Sequence, residues 1–109
     1  MAKQIKLNYK GKDYVLEYSK KSVSIMEQAG LNMQEIGNKM ATMLPIMYEG
    51  AFIMHHRALN SEMKDEIYVL LKDKEQLFMK FIEMITETYT SLYEQNEDDS
   101  KNLAWEIVE

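Results

Sequence analysis

The sequence predicts an α+β fold, mainly α: an N-terminal β-hairpin, with a C-terminal segment as candidate third strand, packed on four to five helices. Three observations carry this. The first eighteen residues alternate apolar and polar side chains around a glycine. Residues 19–93 space their apolar groups three and four apart, the helical interval. After a polar, acidic break, the last seven residues return to alternation. A chain of 109 residues holds one core and no second. The expected organisation is a single domain over 1–93, an acidic linker over 94–102 and a strand or docking segment over 103–109.

In the hairpin, Ile5, Leu7 and Tyr9 alternate with Lys6, Asn8 and Lys10. Gly11 supplies the turn, and Tyr14, Leu16 and Tyr18 alternate with Val15 and Glu17. Two strands alone are marginal in water, so their apolar face must pack on helices or gain a strand. Ser19 or Ser22 caps a first helix with Val23, Met26 and Ala29 inward, stopped by Gly30. Asn32 with Glu35 forms a capping box for a short second helix that ends at Gly37. Thr42 is the expected cap of a third, which tolerates Pro45 only in its first turn. Its inner side carries Met43, Met47, Met54 and Ala58, and Tyr48 or Glu49 lies outside. Asn60 and Ser61 open a fourth helix burying Met63, Ile67, Leu70 and Leu71. Asp73 with Gln76 caps a fifth, from Lys74 to about Glu94, whose Leu77, Phe78, Phe81, Ile82, Ile85, Tyr89 and Leu92 keep helical spacing for more than four turns. Glu94–Asn102 is polar throughout and is expected to be a mobile linker.

Composition removes several kinds of chemistry. With no cysteine there is no disulfide, thiolate metal site or cysteine nucleophile. Glycines at 11, 30, 37 and 50 lie too far apart to cradle a phosphate. His55 and His56, adjacent on a helix, diverge by about 100° and do not share a metal as an i, i+4 pair can. Asp65–Glu66 and Asp98–Asp99 lack the spacing and apolar enclosure of an acid/base pair. No catalytic, cofactor or metal site is therefore expected. The start lacks the apolar run of a secretory signal, and no later stretch approaches the roughly 18 apolar residues of a membrane span.

The net charge of −5 is unevenly spread. Residues 1–21 carry six lysines against Asp13 and Glu17, whereas residues 94–109 carry six acids against Lys101. A basic head and an acidic tail favour head-to-tail self-association; as alternatives, the lysines protect a strand edge and the acids keep the domain soluble. The helices between hold more acids than bases, which argues against a nucleic-acid partner.

Ten methionines are the outstanding compositional feature, and Met26, Met33, Met40, Met47 and Met54 recur every seven residues. Gly30, Gly37 and Pro45 interrupt that series, so it is no coiled-coil seam. Flexible, polarizable methionine is ordinary core filler, and it also suits surfaces that repack around varied partners. Met40, Met43, Met47 and Met54 lie in or beside one helix and are the candidates for such a surface. At the other end, Leu103, Trp105 and Ile107 alternate with Ala104, Glu106 and Val108, a pattern fit to add as a strand to the chain's own sheet or to a neighbour's.

The opening Ile5-Lys-Leu-Asn-Tyr-Lys-Gly-Lys-Asp-Tyr-Val-Leu-Glu-Tyr18, the central Ala41-Thr-Met-Leu-Pro-Ile-Met-Tyr-Glu-Gly-Ala-Phe52 and the final Asn102-Leu-Ala-Trp-Glu-Ile-Val108 together resemble tail assembly chaperones of siphophages and prophages of Gram-positive bacteria. The resemblance implies a non-enzymatic protein of the host bacterial cytoplasm, absent from the mature virion. Such a protein keeps the helical tape measure protein soluble while the tail tube assembles. It also implies a homo-oligomer around that client and, in many such phages, a frameshifted longer form sharing this domain. On this view Met40, Met43, Met47 and Met54 meet the client, whereas the hairpin, Trp105 and Ile107 mediate self-assembly. Two alternatives stay open: another phage structural part, such as a head-tail connector or minor tail protein, and a small acidic regulator of a host protein.

Overall fold

The computed structural model describes residues 3–109. Two antiparallel strands, β1 (Ile5–Tyr9) and β2 (Lys12–Leu16), open it, paired Ile5 with Leu16, Leu7 with Tyr14 and Tyr9 with Lys12. Lys10 and Gly11 join them with φ of 52° and 81°. Two positive φ values in a two-residue loop make the type I′ turn, whose twist matches that of the strands. Gly11 takes this conformation freely, and Lys10 takes it at some strain.

Five helices follow: α1 (Lys20–Gln28), α2 (Met40–Ala51), α3 (Ile53–His56), α4 (Ser61–Leu70) and α5 (Lys74–Ser91), with a 3-10 turn at Met33–Glu35. The α+β, mainly α class is thus the observed one. Ser19 caps α1 in a reciprocal box with Ser22, each side chain bonding the other's backbone N–H. Asn60 caps α4 by accepting from the Met63 N–H at 2.8 Å. Asn32 accepts from Gln34, so the expected capping box yields only the 3-10 turn.

Other boundaries differ from expectation for local reasons. The carbonyl of Lys39 accepts from Thr42 and Met43, so α2 starts two residues before Thr42 and carries Pro45 beyond its first turn. Ala41, whose carbonyl has no i+4 N–H partner because residue 45 is proline, is exposed to solvent. The third helix divides at Phe52, a fully buried anchor between α2 and α3. Tyr48 lies inside, not outside, and its hydroxyl donates to the Lys64 carbonyl at 2.5 Å. Of the four residues expected inside with α4, Ile67 is buried and Met63 and Leu71 are half-buried, but Leu70 is exposed. Asp73 precedes α5 in a left-handed conformation and makes no side-chain cap.

Phe52, Phe81, Leu16, Met26, Met47, Ile67 and Ile85 form the fully buried centre. Each such side chain removed from water contributes about 1.5–3 kcal/mol. Tyr14, Leu16 and Tyr18 lay the hairpin on this centre, and Ile5, Leu7 and Tyr9 border it half-buried.

The strand's far edge is closed from the helix side. Backbone groups of alternate β2 residues point away from β1. There the Val15 N–H donates to Nε2 of His56 at 2.9 Å, and the Glu17 N–H donates to the Ala51 carbonyl at 3.1 Å. The break at Phe52 is what lets both helix ends reach the strand.

Residues 94–102 are less loose than their composition suggests. The Asn102 side chain accepts from the Asn96 N–H and donates to the Asn96 carbonyl. Asp98 caps a 3-10 turn at Asp99–Lys101. Beyond it the expected C-terminal strand does not pair: the sheet has two strands, and Leu103, Trp105, Ile107 and Val108 are all exposed.

Candidate interaction surface

The six residues singled out from the sequence separate into three groups. Met43 and Met47 are core, 4% and 0% exposed, in a helix that packs against α1 and α5. Their assignment to an interaction surface is corrected accordingly. Met40 and Met54 are about half exposed, at 54% and 47%. Trp105 and Ile107 project into solvent.

Met54 stands on the rim of a cleft of about 600 Å³ between the exit of the hairpin and the C-terminal half of α5. Tyr18 and Met84 are buried residues on its wall, and Lys3, Glu87 and Glu94 give it a mixed charged border. Lys3 bonds to Glu83 and Glu87, tying the start of β1 to α5. The Tyr18 hydroxyl donates to the Met47 carbonyl at 2.7 Å, and burial raises its pKa well above the ordinary phenol value. Tyr18 is therefore a neutral structural donor.

Beside this cleft lies a polar group that sequence reasoning missed. Glu17 is buried, and its carboxylate meets His55 Nε2 at 2.7 Å and Gln4 Nε2 at 2.8 Å. The His55 hydrogen bond lowers the Glu17 pKa against the opposing effect of burial. His56 must present an unprotonated Nε2 to the Val15 N–H, and burial, then His55 and Lys12, lowers its pKa. Glu17 occupies the outward phase of the alternation, so no pattern in the sequence marks it. The histidine doublet was visible, but its partners lie some forty residues away.

Both shifts have the same sign for stability. A group with a lowered native pKa contributes fully above its unfolded pKa, and that contribution is lost as pH falls through the native one. His56 acts below its ordinary 6.5 and Glu17 below its ordinary 4.5. Denaturant titrations from pH 7.5 to pH 4 are expected to show stability falling from near pH 6.5 and again below pH 4.5, with His56→Gln removing the first fall. A flat profile across the upper range would show that His56 does not carry it.

Among the described residues no helix is long and apolar enough to cross a membrane. No three His, Asp or Glu side chains there are placed to share a metal ion. The structure defines a small, mainly helical α+β domain with an N-terminal hairpin, exposed methionines and a protruding apolar tail. The chain belongs to the family described as a domain of unknown function, DUF5055, whose match spans residues 1–108. No curated protein matches the chain, and no solved structure matches it.

Proposed function

We propose that this protein is a phage tail assembly chaperone that binds the tape measure protein in the bacterial cytoplasm, keeps it soluble while the tube forms, and leaves before the virion is complete. The observation that carries the reading is the exposure of large, flexible apolar side chains, Met40, Met54 and Met79, on α2, α3 and α5, while other residues fill the core. A client built of long amphipathic helices offers a repetitive apolar surface, and unbranched methionine adapts to such a surface without a fixed register. The three sequence segments that resemble tail assembly chaperones support the same reading. Several copies along one client would add multivalent affinity to weak individual contacts.

Co-expression with a phage tape measure protein is the direct test. The intact chain is expected to move the client into the soluble fraction. Met40→Ser combined with Met54→Ser is expected to abolish that effect while leaving the thermal transition nearly unchanged, since both side chains are half in water already. Undiminished solubilisation by the folded double variant would remove these residues from the client surface. Failure of the intact chain to solubilise the client would remove the function.

A further inference from the structure

We infer that the C-terminal segment 103–108 of one copy adds as an antiparallel strand to the outer edge of β1 in a second copy. This deepens the self-association within the proposed function, and its test needs no client.

The hairpin has one closed edge and one open edge. Tyr9 and Lys12 flank the two-residue turn and form a hydrogen-bonded pair, so Ile5, Leu7 and Tyr9 direct their backbone groups to β2. Those of Lys6 and Asn8 point the other way. Whereas His56 accepts from the outward amide of Val15 in β2 and Ala51 from that of Glu17 just beyond it, no backbone hydrogen bond reaches Lys6 or Asn8 from another element among the described residues. Such a row of unpaired groups is a template for a further strand.

The tail matches that template in length, pattern and charge. β1 has five residues, and Leu103–Ile107 offers five in extended alternation. With Trp105 opposite Leu7, an antiparallel ladder places Leu103 by Tyr9 and Ile107 by Ile5, on the apolar face that β1 leaves half-buried. The same register sets Glu106 beside Lys6 and directs the backbone groups of Ala104 and Glu106 at the free ones of Asn8 and Lys6. Glu109 and the 97–99 acids face a strand otherwise flanked by lysines.

A second copy is the occupant because the chain's own tail is held away. Glu94 and Lys3 border the same cleft, so the tail leaves α5 at the Lys3 end of β1 and would reach its own strand only in the parallel sense. The closed Asn96–Asn102 turn consumes the residues needed to cross to the Tyr9 end. The radius of gyration, 16.7 Å, exceeds the roughly 13 Å of a compact chain of this length, as a projecting arm requires.

The absence of cysteine allows a direct test with the full chain. Lys6→Cys and Glu106→Cys proteins, each with one thiol, are mixed and oxidised, and a cross-linked heterodimer is expected well above that from a Lys80→Cys and Glu106→Cys mixture. Equal yields from both mixtures would overturn the proposal. So would a doubly substituted Lys6→Cys, Glu106→Cys chain that closes only on itself as a monomer. In sedimentation from micromolar to millimolar concentration, Trp105→Ser with Ile107→Ser is expected to weaken self-association about tenfold or more. The tail touches nothing in its own core, so the thermal transition should not move. Self-association equal to that of the intact chain, or an intact chain monomeric throughout, would refute the contact. Client solubilisation by the tail variant is scored separately, so loss of this contact and loss of the chaperone function remain distinguishable.

Discussion

Replacing Phe81 by alanine is expected to lower folding stability by about 3–5 kcal/mol, the range for emptying an aromatic site in a packed core. Phe81 is fully buried and sits edge-on to both Tyr18, at 5.8 Å between ring centroids, and Phe78, at 5.4 Å. It thus joins α5 to the end of the hairpin, so the cavity would open between elements distant in sequence. Domains of this size have about 5–15 kcal/mol in total, so the loss is a large fraction of it and is expected to lower the melting temperature by roughly 10 °C or more. Phe81→Leu keeps most of the volume and should lose less. Denaturant curves with an unchanged slope measure both, and a loss below about 1 kcal/mol in the alanine variant would contradict the central position given to this ring.

Gly50→Ala is expected to destabilise the protein by about 1–3 kcal/mol, although alanine in a helix interior is ordinarily favoured over glycine by about 1 kcal/mol. A Cβ at residue 50 would lie well inside contact distance of Cγ and Sδ of Met26, which is 1% exposed and must shift to admit it. Gly50 is therefore a point of close approach between α1 and α2, and the space of its missing side chain is filled by the methionine. A double-mutant cycle isolates the effect. With Met26→Ala in place the clash disappears, and Gly50→Ala should become neutral or stabilising. The same penalty in both backgrounds would exclude Met26 as its source.

Gly50 and Met26 also show what the sequence made legible and what it did not. The hairpin, its turn at Gly11, the Ser19 and Asn60 caps and the long amphipathic α5 were all readable, because each rests on a period or a cap within a few residues. The start of α2 was not, since Lys39 opens it with no capping side chain; α5 begins at Lys74 as expected, but from a left-handed Asp73 that makes no side-chain cap. Tyr48 was misplaced because its burial depends on α4, which brings the Lys64 carbonyl to its hydroxyl. The methionines could not be sorted from spacing alone. Met47 and Met54 are seven residues apart, but the break at Phe52 turns one into the core and leaves the other at the rim of a cleft. Likewise the alternating tail was readable as strand-forming, whereas the Asn96–Asn102 turn that carries it away from its own sheet rests on side-chain amides no period reveals.

The closure of β2 by His56 and Ala51 bears on the order in which this chain acquires its shape. The hairpin can form its own ladder as soon as its first eighteen residues exist, but that ladder leaves Val15, Glu17 and Tyr18 without the partners they have in the finished domain. Those partners are His56, Ala51 and Met47, all of them some thirty to forty residues later. Contacts of such separation must first overcome the entropy of closing the loop between them. On a ribosome that reads from the N-terminus, the strands that open the sequence therefore wait for its middle, where α2 and α3 bring the partners that complete them.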